Sequence, residues 1–96
     1  MELKDMDIIK RAVAGTMESS DAYVEIEPNA NGELTVTLES VVAKQFGEVI
    51  RASVEDVLNE NGVKSASVRV IDRGALDCVI RARVETAIVR AREDVK

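Results

Sequence analysis

The most regular stretch of the chain is Leu34-Thr35-Val36-Thr37-Leu38-Glu39, with Leu34, Val36 and Leu38 alternating strictly with polar residues. Successive strand side chains point to opposite faces, so this run predicts a strand with one face on a core and one in water. Tyr23-Val24-Glu25-Ile26-Glu27 alternates in the same way. Between them Pro28-Asn29-Ala30-Asn31-Gly32 breaks the pattern, and Asn-Gly favours the positive φ angles of a hairpin connection. The two runs are therefore expected as antiparallel strands. Upstream, the small apolar segment Ala12-Val13-Ala14-Gly15-Thr16-Met17 leads into Glu18-Ser19-Ser20-Asp21. Such polar side chains bond nearby backbone groups and make turns, so the segment before them is a candidate third strand. Residues 1–11 are polar and irregular apart from Met6, Ile8 and Ile9. They read as a mobile lead-in or a short strand that docks late.

From residue 40 the spacing of apolar positions changes. Val42, Phe46, Val49, Ile50, Val54, Val57 and Leu58 recur three and four apart, as one face of a helix requires. Glu48, Arg51, Glu55 and Glu60 fall mostly outside that stripe. Ser40 is the expected N-cap, and Gly62 suits the position just past the end. Residues 65–71 read as another strand, Asp72-Arg73-Gly74 as a turn, and residues 75–92 as a second helix. The stripe of that helix is Leu76, Val79, Ile80, Val84, Ala87, Ile88 and Ala91. This succession predicts an α+β fold: a small antiparallel or mixed β-sheet of three to four strands against two amphipathic helices, in the order β-β-(β)-α-β-α. No repeat, low-complexity tract or linker divides the chain, so residues 1–96 are expected to form a single domain.

With one Tyr, one Phe and no Trp, the core must be built from Val, Ile, Leu and Ala. A chain of this size buries only about 60–65% of the surface it exposes when unfolded, which leaves little interior for a deep active site. The formal net charge of −5 disfavours nucleic acid and anionic membranes, both of which demand a basic surface. It suits docking on basic patches of partner proteins, and it equally serves plain solubility. Cys78 is the single cysteine, so no intrachain disulfide forms and nothing points to secretion. No apolar run has the length of a signal peptide's core or a membrane span. The cytoplasm is the expected compartment.

The inventory of reactive groups excludes more than it supports. There is no histidine, so no Ser-His or Cys-His pair and no usual zinc constellation can form within the chain. The five glycines are scattered and match neither a phosphate-binding loop nor a dinucleotide fingerprint. Carboxylates are abundant but fall on solvent faces, where they are expected to titrate near ordinary values. Cys78, flanked by Asp77 and without a base, is read as a small packed side chain. Ser19 and Ser20 lie in a polar tip that a second enzyme could reach. Neither hydroxyl has a base nearby in sequence, so either is a turn residue or a group modified by something else.

Three stretches resemble the gamma chain, or acyl-carrier family, of citrate lyase: Ala12-Val13-Ala14-Gly15-Thr16-Met17-Glu18-Ser19, Lys44-Gln45-Phe46-Gly47 continuing to Arg51, and Asp72-Arg73-Gly74-Ala75-Leu76-Asp77-Cys78 leading into Arg81-Ala82-Arg83. They come in the family's order and span nearly the whole chain. The resemblance implies that Ser19 bears, through a phosphodiester, a phosphoribosyl dephospho-CoA group ending in a thiol. It implies a non-catalytic carrier of acetyl and citryl thioesters between a transferase (alpha) and a lyase (beta) subunit, in the cleavage of citrate to acetate and oxaloacetate. A separate transferase would attach the group. Tethering would replace diffusion by an effective concentration in the millimolar range. Gly15, Thr16, Ser20 and Asp21 would supply the small, tight surroundings such an attachment needs, although Ser20 stands where the family often has glycine. Asp72 and Gly74 read as a strand-to-helix turn. Arg81 and Arg83 read either as solvated or as a docking surface for acidic patches or for the arm's phosphates.

Two other readings compete. The carrier subunit of malonate decarboxylase uses a similar arm, and a protein-interaction domain without any arm would tolerate Ser19→Ala. A free-standing enzyme is the weakest of the readings, for want of a catalytic constellation.

Overall fold

The computed structural model describes residues 8–93. Four strands, β1 (Ala12–Gly15), β2 (Ala22–Glu27), β3 (Leu34–Ser40) and β4 (Ala66–Asp72), form one sheet, joined by helices α1 (Ala43–Glu60) and α2 (Asp77–Arg92). The element order is β-β-β-α-β-α, as the periodicities predicted. The spatial order of the strands is β1-β2-β4-β3. β1 pairs antiparallel with β2, β2 antiparallel with β4, and β3 parallel with β4.

The expected hairpin between β2 and β3 does not form, because β4 lies between them. The two strands do run in opposite directions, but each pairs with β4 and not with the other. Burial gives the physical reason. Ala66, Val68, Val70, Ile71 and Asp72 of β4 are all buried, whereas every residue of β3 is half-buried or exposed. β4, with the larger buried share, takes an interior place, and β3 is left at the edge. Residues 28–33 then span the width of an inserted strand, roughly 10 Å at the usual strand spacing.

One face of the sheet carries the core. Ala14, Val24, Ile26, Ala66, Val68 and Val70 meet Ile50, Val54, Val57 and Leu58 of α1 and Ile80, Val84, Ala87, Ile88 and Ala91 of α2. The opposite face is polar. Glu25 there accepts a hydrogen bond from the Tyr23 hydroxyl (3.0 Å) and pairs with Arg11 (3.1 Å) and Arg69 (3.6 Å). Of the lead-in, residues 1–7 lie outside the described residues. Ile8 is buried, and the amides of Ile9 and Lys10 donate to the Ala91 carbonyl at 3.0 and 3.3 Å. Residues 8–10 are tied to the last turn of α2 without forming a strand.

Both helices start later than the apolar stripes suggested. Val42, not Ser40, is the residue at the N-terminal boundary of α1. The Ser40 hydroxyl accepts from the Val42 amide (3.0 Å) and donates to Asp72 (2.8 Å). Asp72, only 1% exposed, also accepts from the amides of Gly74 (3.2 Å) and Ala75 (2.9 Å). A buried carboxylate is tolerable when its oxygens are satisfied in this way. It fastens the ends of β3 and β4 to the start of α2. Phe46, Val49 and Leu76 are half or more exposed, so the inward faces are narrower than the stripes implied.

Candidate functional site

Residues 16–21 connect β1 to β2, with Ser19 exposed at the tip. The loop is short but heavily braced. The Thr16 hydroxyl donates to Asp21 Oδ2 (2.7 Å) and accepts from the Glu18 amide (3.2 Å). The Asp21 amide donates to the Glu18 carbonyl (3.1 Å), closing the turn. Asp21 Oδ1 accepts from the Ala22 amide at 2.7 Å. From α2, Arg83 donates Nε to Oδ1 and Nη2 to Oδ2, both at 2.9 Å. This bidentate fork is the strong form of an arginine–carboxylate pair. The Arg83 hydrogen bonds, and then that of Thr16, hold the Asp21 carboxyl well below the usual carboxylate range against the opposing effect of burial.

The sheet holds the other side of the loop. The Ser20 amide donates to the Arg73 carbonyl (2.8 Å) and the Arg73 amide to the Asp21 carbonyl (2.9 Å), which carries the β2–β4 ladder past its regular end. Two backbone conformations make the turn possible. Gly15 has φ +88°, and a Cβ there would lie 1.8 Å from the Ala22 carbonyl oxygen. Ser20 has φ +67°, in the left-handed region that glycine occupies without penalty. This is the backbone conformation that glycine suits, and Ser20 adopts it at a cost in strain.

Ser19 itself is an exposed hydroxyl with no hydrogen-bond partner among the described residues. Among the described residues no side chain hydrogen-bonds to it, so nothing there activates it as a nucleophile.

The structure separates the residues of the Asp72–Arg83 stretch. Asp72 and Gly74 make the strand-to-helix turn, as expected. Arg83 braces the serine loop. Arg81 donates its Nε to Asp77 (2.8 Å) one turn earlier in α2, and its Nη2 approaches Asp56 (3.4 Å) and Ser53 (3.5 Å) of α1. The buried Ser53 hydroxyl donates to Asp77 at 2.5 Å, and this bond is the main cause of the lowered Asp77 pKa. Both arginines are thus engaged within the fold. Cys78 is exposed, contrary to the packed position expected for it. α2 begins at Asp77, and Asp77, three residues before the buried Ile80, takes the position facing α1. The expectation of ordinary titration likewise fails at Asp21 and Asp77. The Asp21–Arg83 pair spans 62 residues, so no local pattern announced it. The one available signal was an aspartate closing a turn at the start of a strand.

The citrate lyase acyl carrier protein of Pectobacterium atrosepticum is 52% identical over 88 residues, covering 92% of this chain and 91% of that protein. That of Streptococcus mutans is also 52% identical, covering 92% and 86%. The chain belongs to the citrate lyase acyl carrier protein family. Residues 9–91 match an acyl-carrier family described as "Malonate decarboxylase delta subunit (MdcD)". A chain in the crystal structure of a Pseudomonas malonate decarboxylase hetero-tetramer in complex with malonate superposes with a TM-score of 0.77 at 23% identity, covering 88% of this chain and 86% of that one. At that identity the likeness establishes a shared fold. Among the described residues no helix is long and apolar enough to cross a membrane.

Proposed function

We propose that this chain is the acyl-carrying subunit of a citrate lyase, that Ser19 bears its phosphoribosyl dephospho-CoA group, and that the chain catalyses no step of its own. The observation that carries the reading is identity of about half of all residues to citrate lyase acyl carrier proteins across more than nine-tenths of the chain. The local geometry fits the group. A bulky phosphodiester needs a hydroxyl clear of neighbours, on a loop that a modifying enzyme can surround, and Ser19 has both properties. Once bound, the group supplies a thiol whose thioesters ease carbon–carbon cleavage, chemistry that belongs to the cofactor.

The chain's own residues position. Gly15 and Ser20 bend the loop, Asp21 and Arg83 fix it to α2, and Arg73 fixes it to the sheet. A rigid root keeps the tether's origin constant while the tether moves. The net charge of −5 favours partners with basic docking surfaces. On this reading the partners are the transferase (alpha) and lyase (beta) subunits and the prosthetic-group transferase, all in the cytoplasm.

The test is intact mass spectrometry of the chain co-produced with its own operon, followed by mapping of the peptide covering residues 12–25. A mass increase equal to phosphoribosyl dephospho-CoA on Ser19, absent in Ser19→Ala, is expected. An unmodified chain in the presence of active modifying enzymes overturns the reading and leaves the interaction domain. The family description and the structural neighbour keep malonate decarboxylase as the second reading. The neighbour's 23% identity against the relatives' 52% favours citrate lyase. Assays of the reconstituted complex for citrate cleavage and malonate decarboxylation distinguish the two.

A further inference from the structure

Each outer strand of the sheet is capped by an arginine from a helix. Arg51 of α1 donates Nη1 to the Val36 carbonyl of β3 at 2.6 Å. Arg90 of α2 donates Nη1 to the Val13 carbonyl of β1 at 2.8 Å. β1 has only four residues, so a cap in its middle leaves little to pair with. β3 has seven, and its outer edge is longer. The Glu33 carbonyl accepts from the Ala66 amide (3.0 Å), and the Val41 amide donates to the Asp72 carbonyl (3.2 Å). The odd-numbered residues between them therefore turn their backbone groups towards β4, and Leu34, Val36 and Leu38 turn theirs outward. Of these outward amides and carbonyls, only the Val36 carbonyl has a partner among the described residues.

The strand itself carries little protection. Edges are ordinarily blunted by lysine, proline or a bulge. Residues 34–40 contain neither lysine nor proline, and their pairing with β4 runs from Leu34↔Ala66 to Ser40↔Asp72 without a bulge. Leu34-Thr35-Val36-Thr37-Leu38 is an uncharged run, flanked only by Glu33 and Glu39, and such runs add further strands readily. The edge is also complementary to itself. Turned antiparallel about Thr37, a second β3 sets Val36 opposite Leu38 and Thr35 opposite Glu39, so no like charges meet directly. In that register the Leu38 amide of the second copy needs the Val36 carbonyl, the group that Arg51 holds. We propose that Arg51 guards the β3 edge against a second copy of this chain, whose own β3 would otherwise join two four-stranded sheets into one. The guanidinium takes the central acceptor and places a charge where the incoming strand would lie. This role is independent of any group on Ser19.

Arg51→Met keeps the apolar stem and removes the donors. Sedimentation velocity of wild type and variant, over a concentration series from about 10 to 500 µM, reads association by mass action. Wild type should remain a single species, and the variant should dimerise with a Kd lower by roughly tenfold or more. Because each copy carries a net charge of −5, the dimer fraction should rise as salt screens the repulsion. Amide hydrogen exchange locates the contact. The amides of Leu34, Val36 and Leu38 should gain protection in the associated variant, a change that a merely structural role for Arg51 would not produce. Adding Thr37→Lys sets two lysines directly opposite each other across the two-fold and should return the variant to a single species. A urea midpoint at the lowest concentration verifies the fold, and Arg51→Gln is the second neutral variant should Arg51→Met not fold. A folded neutral variant that stays single throughout, with those three amides exchanging as in wild type, overturns the guard. Association that leaves the three amides unprotected overturns it as well, because the contact then lies elsewhere.

Discussion

Replacing Gly15 by alanine probes the root of the serine loop at its tightest point. The added Cβ would sit 1.8 Å from the Ala22 carbonyl oxygen, 3.0 Å from that carbonyl carbon and 3.1 Å from Arg83 Cδ. The nearest obstacle is backbone, and Ala22 is itself fixed by its pairing with Asp72 of β4. Relief therefore requires the end of β1 to leave its register opposite Tyr23. The positive φ costs an L-residue about 1–2 kcal/mol. Each ladder hydrogen bond lost adds about 1 kcal/mol, so the total is roughly 2–4 kcal/mol. Against the about 5–14 kcal/mol expected of a domain of this size, this is a large share. Urea unfolding followed by far-ultraviolet circular dichroism reads it directly. At a slope of about 1–1.5 kcal/mol per molar, the midpoint should fall by roughly 2–3 M. Gly32→Ala is the matched control, since φ is +75° there but nothing lies within 4 Å of the new Cβ. It should lose only the conformational part, about 1 kcal/mol. Equal losses in the two variants would refute the steric account of the loop's root.

Ser20→Gly should raise stability by about 0.5–1 kcal/mol, since relief of the left-handed strain exceeds the extra freedom glycine has when unfolded; calorimetry checks it, and a loss of stability refutes it. Asp21 has its pKa depressed in the folded state, so its contribution is present above the ordinary aspartate value near 4 and is lost as pH falls below it. Urea midpoints of wild type and Asp21→Asn should accordingly differ most above about pH 5 and draw progressively closer as pH falls below about 4, whereas a gap independent of pH contradicts the pairing with Arg83. Cys78 is exposed and should react with a disulfide reagent in the native protein at a rate close to that in urea; protection would show that it is covered.

Much of the fold could be read from the residues because it is set locally. Alternation at Tyr23–Glu27 and Leu34–Glu39 marks strands, and three-four spacing marks both helices, since those periods follow from backbone geometry. What the pattern could not supply was partnership between distant segments. β4 enters between β2 and β3 because more of it is buried than of β3, a property that depends on what packs around it. Phe46, Val49 and Leu76 fit helical stripes yet face solvent, because periodicity assigns a side of a helix without showing how far the sheet extends beneath it. In the loop, Ser19 and its small neighbours stood out by composition. The bond from Asp21 to Arg83 did not, since two residues 62 apart leave no trace in spacing.

The long sequence separation between the two sides of that bond has a consequence for biosynthesis. Ser19 leaves the ribosome early, but the parts that shape its loop, Arg73 and Arg83, are made in the last third of the chain. β4, the strand that joins β2 to β3, is also made late. A nascent or truncated chain ending before residue 83 therefore displays Ser19 on an unbraced segment. On the proposed attachment at Ser19, an enzyme that recognises the braced loop would load only folded chains that include Arg83, and the loop would act as its own certificate of completion.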